Sequence, residues 1–167
     1  CLVEADETHT SLITKLDLDG NVIWEKRYHY AGKEIAFSKI VECSNFDLLL
    51  LGVDKLDSNR VVLLRINPNG DVIWNKAFNQ KFRLNNELST TNLVKVGNEN
   101  YFLALQIEDP EDQDVIIFKF DQDGNIIVQK RIHFSQESFY LFSIVANEEK
   151  VGLYGNINYS DSSYRGF

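Results

Sequence analysis

From residue 11 onward the chain alternates between apolar runs of strand length and short clusters of Asn, Asp, Gly and Ser. That alternation predicts β-strands separated by tight turns. Three hairpins are expected, near 11–28, 60–78 and 114–133, with strands near 11–17 and 21–28, 60–67 and 71–78, and 114–121 and 125–133. Between them lie further strand pairs. Ala36–Cys43 and Phe46–Asp54 flank Ser44-Asn45, Thr91–Val96 and Tyr101–Ile107 flank Gly97 to Asn100, and Phe139–Ala146 and Val151–Ile157 flank Asn147 to Lys150. The run Leu48 to Leu51 is apolar at successive positions, which suits a strand covered on both faces.

The hairpin turns are copies of one another. Asp17-Leu18-Asp19-Gly20-Asn21-Val22-Ile23-Trp24 returns as Asn67-Pro68-Asn69-Gly70-Asp71-Val72-Ile73-Trp74 and again as Asp121-Gln122-Asp123-Gly124-Asn125-Ile126-Ile127-Val128. The match extends outward to Lys15, Arg65 and Lys119 before the turn and to Lys26, Lys76 and Lys130 after it. Pro68 supplies the φ of a type I turn, and Gly70 is suited to the left-handed residue of a G1-bulge hairpin. The Asp or Asn that opens each copy can fold a side-chain oxygen back onto turn amides.

Gly20 to Gly70 is a step of 50 residues and Gly70 to Gly124 a step of 54. Each step holds four antiparallel strands, the size of one blade of a β-propeller, whose repeated sheets cover one another's apolar faces. The predicted fold is therefore all-β, a β-propeller of four-stranded antiparallel blades with about three visible in 11–167. The start matches the end of a second strand, and Asp161 to Phe167 resembles Asp57 to Val61, which leads into a third strand. The expectation is an N-terminal part of a larger ring, closed by strands from the far C-terminus.

Composition narrows the class. The chain is 44% apolar and 12% aromatic with two prolines, an ordered β-leaning makeup. A net charge of −8 argues against nucleic-acid binding and against a polybasic membrane patch. Two cysteines are too few for a disulfide framework or a thiolate metal site, and Cys43 reads as a small buried hydrophobe.

The Lys-Leu-Asp, Gly-Asn, Trp pattern, led here by Ile13-Thr14-Lys15-Leu16, resembles the hairpin repeat of bacterial β-propellers of secreted proteins and lipoproteins. More distantly it is similar to the PQQ-type repeat, which also builds outer-membrane assembly lipoproteins. The resemblance implies a protein-binding scaffold at the bacterial outer membrane or cell surface. Two departures separate the chain from the PQQ-type motif: the turn is one residue shorter, and Val128 stands where a Trp is expected. Both argue against a bound quinone. The alternatives to the scaffold are a glycan-binding or glycan-processing propeller and a PQQ-type cofactor enzyme.

Candidate chemistry is sparse. Trp24 and Trp74, at a fixed place in the repeat, read as packing between units rather than ligand platforms. Gly20, Gly70 and Gly124 read as turn residues. The Asx-x-Asx-Gly turns lack the further oxygens of a calcium loop, so the acidic segment 108–114 is the better calcium candidate, although like charges clustered in a loop usually face water. His29 and His133 share a repeat position that Asn79 fills in the middle copy, so no ring of metal ligands follows. No nucleophile elbow, zincin motif or phosphate loop occurs. The expectation is a non-catalytic module without cofactor, binding protein partners through a rim of longer loops. Asp54, Asp57, Glu108, Asp109, Glu111, Asp112 and Asp114 lie on that rim. Cys1 is the candidate lipid-attachment residue of a processed lipoprotein, with residues 1–10 as its tether. Localisation at the outer membrane follows from that lipid, and otherwise in the periplasm or outside the cell.

Overall fold

The computed structural model describes residues 11–54, 60–83, 92–107, 114–134 and 138–158. Within them the protein is all-β, with no helix and no closed barrel. The first hairpin pairs β1 (Leu12–Leu16) with β2 (Val22–Arg27), and a short second one pairs β3 (His29–Tyr30) with β4 (Lys33–Glu34). An antiparallel meander follows, made of β5 (Ala36–Glu42), β6 (Leu48–Asp54), β7 (Arg60–Ile66) and β8 (Val72–Arg83). A second meander comprises β9 (Leu93–Val96), β10 (Asn100–Ile107), β11 (Val115–Asp121) and β12 (Ile126–Ile132). Finally β13 (Ser138–Ala146) pairs with β14 (Val151–Asn158).

Two features differ from the sequence pattern. The segment 29–35 contains the β3–β4 hairpin, whose turn residues Ala31 and Gly32 both take positive φ, 50° and 79°. That is the geometry of a type I′ turn, and an Ala there is a weak signal for it. Strand β8 also runs past residue 78. Its end leaves β7 and pairs with β10 through Arg83↔Gln106 and Phe82↔Ile107, which joins the two meanders at one edge.

The period of two along each strand explains how the sheets stack. On β6 and β7, Leu49, Leu51, Val53, Val61 and Leu63 pack with Leu103, Leu105, Ile116, Phe118 and Phe120 of the second meander. The alternate residues Leu50, Leu64 and Ile66 face the other way, onto Ile13 and Trp24 of the first hairpin and Tyr28 just after it. The Leu48–Leu51 run is therefore divided between two cores, and only Leu48 is left half-buried. A third cluster, Ala104, Val115, Leu141 and Ile144, binds the second meander to β13. At about 25 cal/mol per Å² of apolar surface removed from water, such face-to-face burial is the main favourable term holding the sheets together.

The strand register places the tight turns within each meander at one end. Leu48↔Ile66 puts the β5–β6 turn beside the β7–β8 turn, and Asn100↔Asp121 does the same for the β9–β10 and β11–β12 turns. The opposite end carries the longer connections, and Asp54 and Asp114 lie there.

Candidate functional site

Each repeated turn is closed by its own side chains. Asp17 Oδ1 accepts the amides of Asp19 and Asn21 at 2.9 and 2.8 Å, Asn67 Oδ1 those of Asn69 and Asp71, both at 2.9 Å, and Asp121 Oδ1 those of Asp123 and Asn125 at 2.9 and 2.8 Å. A second bond spans the mouth of the turn, always between one Asp and one Asn. Asn21 donates to Asp17, Asn125 donates to Asp121, and in the middle copy the roles are exchanged, with Asn67 donating to Asp71 at 3.2 Å. Gly20, Gly70 and Gly124 take φ of 86°, 78° and 73°, the left-handed region where a side chain is strained.

The residues repeated around the turn bind the turn of the following unit. Lys15 Nζ and Trp24 Nε1 both donate to the carbonyl of Pro68, at 2.8 and 3.1 Å. One unit later, Arg65 Nη1 and Trp74 Nε1 both donate to the carbonyl of Gln122, the indole at 3.1 Å. A carbonyl oxygen has two lone pairs, and here a cation and an indole fill them together. The second lysine continues the pattern. Lys26 Nζ reaches the Asn69 carbonyl and the Asp71 carboxylate at 2.8 and 2.9 Å, and Lys76 Nζ reaches the carbonyl of Gly124. Each ammonium also sits over its own indole, 5.9 and 5.7 Å from the ring centroid. Tyr28 adds a hydroxyl donated to the Gly70 carbonyl at 2.9 Å, and burial followed by the nearby Asp71 charge pushes its phenol up to about 12.

Trp24 and Trp74 are thus half-buried between units with their one polar atom satisfied. Arg65 is further anchored by Asp47, with Nη2 and Nε 2.7 and 2.9 Å from Oδ2 and both side chains 6% exposed. At the tight-turn end the polar side chains of the first two copies are thus engaged by the turns of residues 67–71 and 121–125.

The opposite end offers a different arrangement. Asp114, immediately before β11, is buried, and its two oxygens are divided between neighbours on the far side of the β11–β12 hairpin. Arg131 Nε donates to Oδ2, and His133 Nδ1 lies 2.6 Å from Oδ1. A carboxylate acceptor places the imidazole proton on Nδ1, which leaves Nε2 as the nitrogen with a free lone pair in the neutral ring. The His133 and Arg131 side chains are 64% and 52% exposed, so a buried acid holds two polar heads out toward solvent. This arrangement can accept and donate hydrogen bonds to a partner in a fixed orientation.

Of the rim residues named from sequence, Asp114 is the acid of this cluster, and Asp54 ends β6 opposite Arg60 in the register. Asp57, Glu108, Asp109, Glu111 and Asp112 lie outside the described residues, as does Cys1 and most of the calcium candidate 108–114. Among the described residues, no group of three or more His, Cys, Asp or Glu is placed to hold a metal ion. The roles of Arg131 and His133 were not apparent in the sequence. One signal pointed to them: the first copy has Arg27 and His29 at these positions, but Asp114 has no acidic counterpart in either earlier copy, where Thr10 and Arg60 stand.

No model of a known protein family matches the chain, and no curated protein sequence matches it.

Proposed function

We propose that the chain is part of a β-propeller whose four-stranded blades form a non-catalytic protein-binding scaffold of a bacterial envelope lipoprotein, tethered to the outer membrane through Cys1. Two sets of observations support the blade reading. Four-stranded meanders stack face to face through alternate residues, and the same cation–indole pair clasps the next turn at both junctions between units. The binding reading rests on one observation above all. The repeated polar side chains of the first two copies are engaged within the array, while Asp114 presents the exposed Arg131 and His133 at the end of the longer connections. Loops held by a rigid scaffold are where recognition concentrates.

The test is affinity capture from envelope membranes, using protein with its native N-terminus. The expected result is a discrete membrane-associated partner captured by the parent chain and by Glu149→Ala, which alters the tight-turn end. Capture should be lost from the R131A/H133A variant. Equal capture by both variants contradicts the rim as the binding surface, and saturable binding of a sugar or a quinone by the purified chain contradicts the scaffold reading. Intact-mass analysis of the native protein should show diacylglycerol or acyl additions on Cys1, and an unmodified Cys1 ends the lipoprotein assignment.

A further inference from the structure

Phe46 is costly to the fold in two ways. It holds φ of 64° in the β5–β6 turn, a left-handed conformation disfavoured for a bulky residue, and it leaves an aromatic side chain 72% exposed to water. The repeat does not require either. Glu99 and Glu149, both exposed, stand at the matching position of the β9–β10 and β13–β14 turns, and neither takes positive φ. Nor is the turn loosely held. Cys43 N donates to the Asp47 carbonyl at 2.8 Å, Asn45 Nδ2 donates to Asp47 Oδ2 at 2.7 Å, and that carboxylate is gripped by the buried Arg65. The residues on both sides of Phe46 are thereby fixed while its own side chain stands in solvent. Strain kept at one copy of a repeat, and absent from the other two, points to a role outside folding.

We propose that Phe46 anchors a second interaction surface, at the tight-turn end, for a segment of another protein in which Lys or Arg flanks an aliphatic residue. The surroundings set that chemistry. Glu42, opposite Leu48 in the strand register, is exposed where β5 enters the turn. Ser44 Oγ donates to the Asn98 carbonyl, which brings the neighbouring turn and its exposed Glu99 alongside. The repeated cations at this end are engaged within the array, Lys26 with the Asn69 carbonyl and Asp71, Arg65 with Asp47 and the Gln122 carbonyl. An exposed ring beside carboxylates takes an aliphatic group by area, and a Lys or Arg head through the acids and the ring face. An aromatic anchor on a fixed backbone is the kind of residue on which small interfaces concentrate their affinity. The acids disfavour anionic lipid and nucleic acid, and a second copy, with its own net charge of −8, would set like charges against each other. This surface lies at the end opposite the Asp114 cluster and does not depend on it.

Photo-cross-linking in the cells that produce the protein tests it, with p-benzoylphenylalanine placed at position 46 or, as a control, at the exposed mid-strand position 75. The expected result is an adduct with one other protein from position 46 and not from 75, attached at an aliphatic residue with Lys or Arg on both sides. No adduct, an adduct with a second copy, or attachment to a neutral or acidic segment overturns the proposal. A synthetic peptide of the attached segment is then titrated against the 167-residue chain. Phe46→Trp should bind it as the parent does, whereas Phe46→Gly and E42K/E99K should each bind at least about tenfold more weakly, within the range of a lost anchor residue. Unchanged binding by Phe46→Gly overturns the proposal. A lowered urea midpoint for Phe46→Gly also overturns it, since the ring would then serve the fold.

Discussion

The indole of Trp74 rests on the backbone of Gly124: a methyl group built on that glycine would lie 3.0 Å from the indole Cη2 and 3.1 Å from Cδ of Lys76. The repeated turn shape and the contact between units are thus coupled at one residue. Trp74 also donates to the Gln122 carbonyl, so its removal empties a packed site and strips an acceptor. Trp74→Ala is expected to cost about 3 kcal/mol in urea unfolding. Trp74→Phe keeps the aromatic contact without the N–H and should cost about 1 kcal/mol. Equal losses for the two variants would show that the indole hydrogen bond, rather than its area, dominates.

The Asp47–Arg65 pair behaves differently from a surface ion pair because both side chains are almost fully covered. Arg65→Met leaves the Asp47 carboxylate buried without its cation and is expected to destabilise the fold by about 3 kcal/mol. The double variant D47N/R65M, which removes both charges, should recover most of that loss. A double variant no more stable than Arg65→Met would contradict the account of a stranded charge.

Phe46 adopts φ of 64° with its ring 72% exposed, in a turn where Cys43 N donates to the Asp47 carbonyl. It occupies the place that Gly20, Gly70 and Gly124 fill in the hairpin turns, and a left-handed conformation costs a bulky residue about 1–2 kcal/mol. Phe46→Gly should therefore raise stability by about 1 kcal/mol, measured as a higher urea midpoint at unchanged slope. A lowered midpoint would mean that the exposed ring makes a stabilising contact outweighing its strain.

Acid should weaken the turns selectively. The Asp17 carboxyl is held below its usual range by the Asn21 side-chain amide and then by turn backbone amides. Asp121 is also lowered: burial pushes it up, but amides of Asn125 and Asp123 and the charge of Lys76 outweigh that. A carboxylate with a depressed folded-state pKa contributes stability above the unfolded value of about 4 and loses it as the pH falls through the folded one. Asn67 holds the same backbone amides without a titrating group. The D17N/D121N variant should accordingly be less stable than the parent near pH 7 and lose less stability between pH 5 and pH 2, so that the two converge in acid. Parallel losses over that range would contradict the linkage.

Much of the architecture was legible because hairpin turns are local chemistry. Asn67 to Gly70 specifies its own geometry, and the apolar runs on either side set the strands. The repetition of Trp24 and Trp74 pointed to packing between units, but the acceptors at Pro68 and Gln122 are backbone carbonyls, which no side-chain pattern reveals. Three features escaped the sequence for related reasons. Phe46 is not a residue that signals positive φ, and Ala31 is a poor marker of a type I′ turn. The Asp114 cluster joins residues 17 and 19 positions apart across a hairpin, and His133 alone read as an incomplete metal ring.

The comparison of Gly124→Ala with Gly20→Ala by urea unfolding of the 167-residue chain tests most directly whether the repeated residues clasp the next unit's turn. Both substitutions impose a left-handed alanine, costing about 1–2 kcal/mol. Only the first also drives a methyl group into Trp74 and Lys76, where overpacking adds about 1–3 kcal/mol. The account predicts a Gly124→Ala loss larger than that of Gly20→Ala by at least about 1 kcal/mol. Equal losses would contradict it, because the turn of residues 121–125 would then be no more engaged than the exposed turn of residues 17–21.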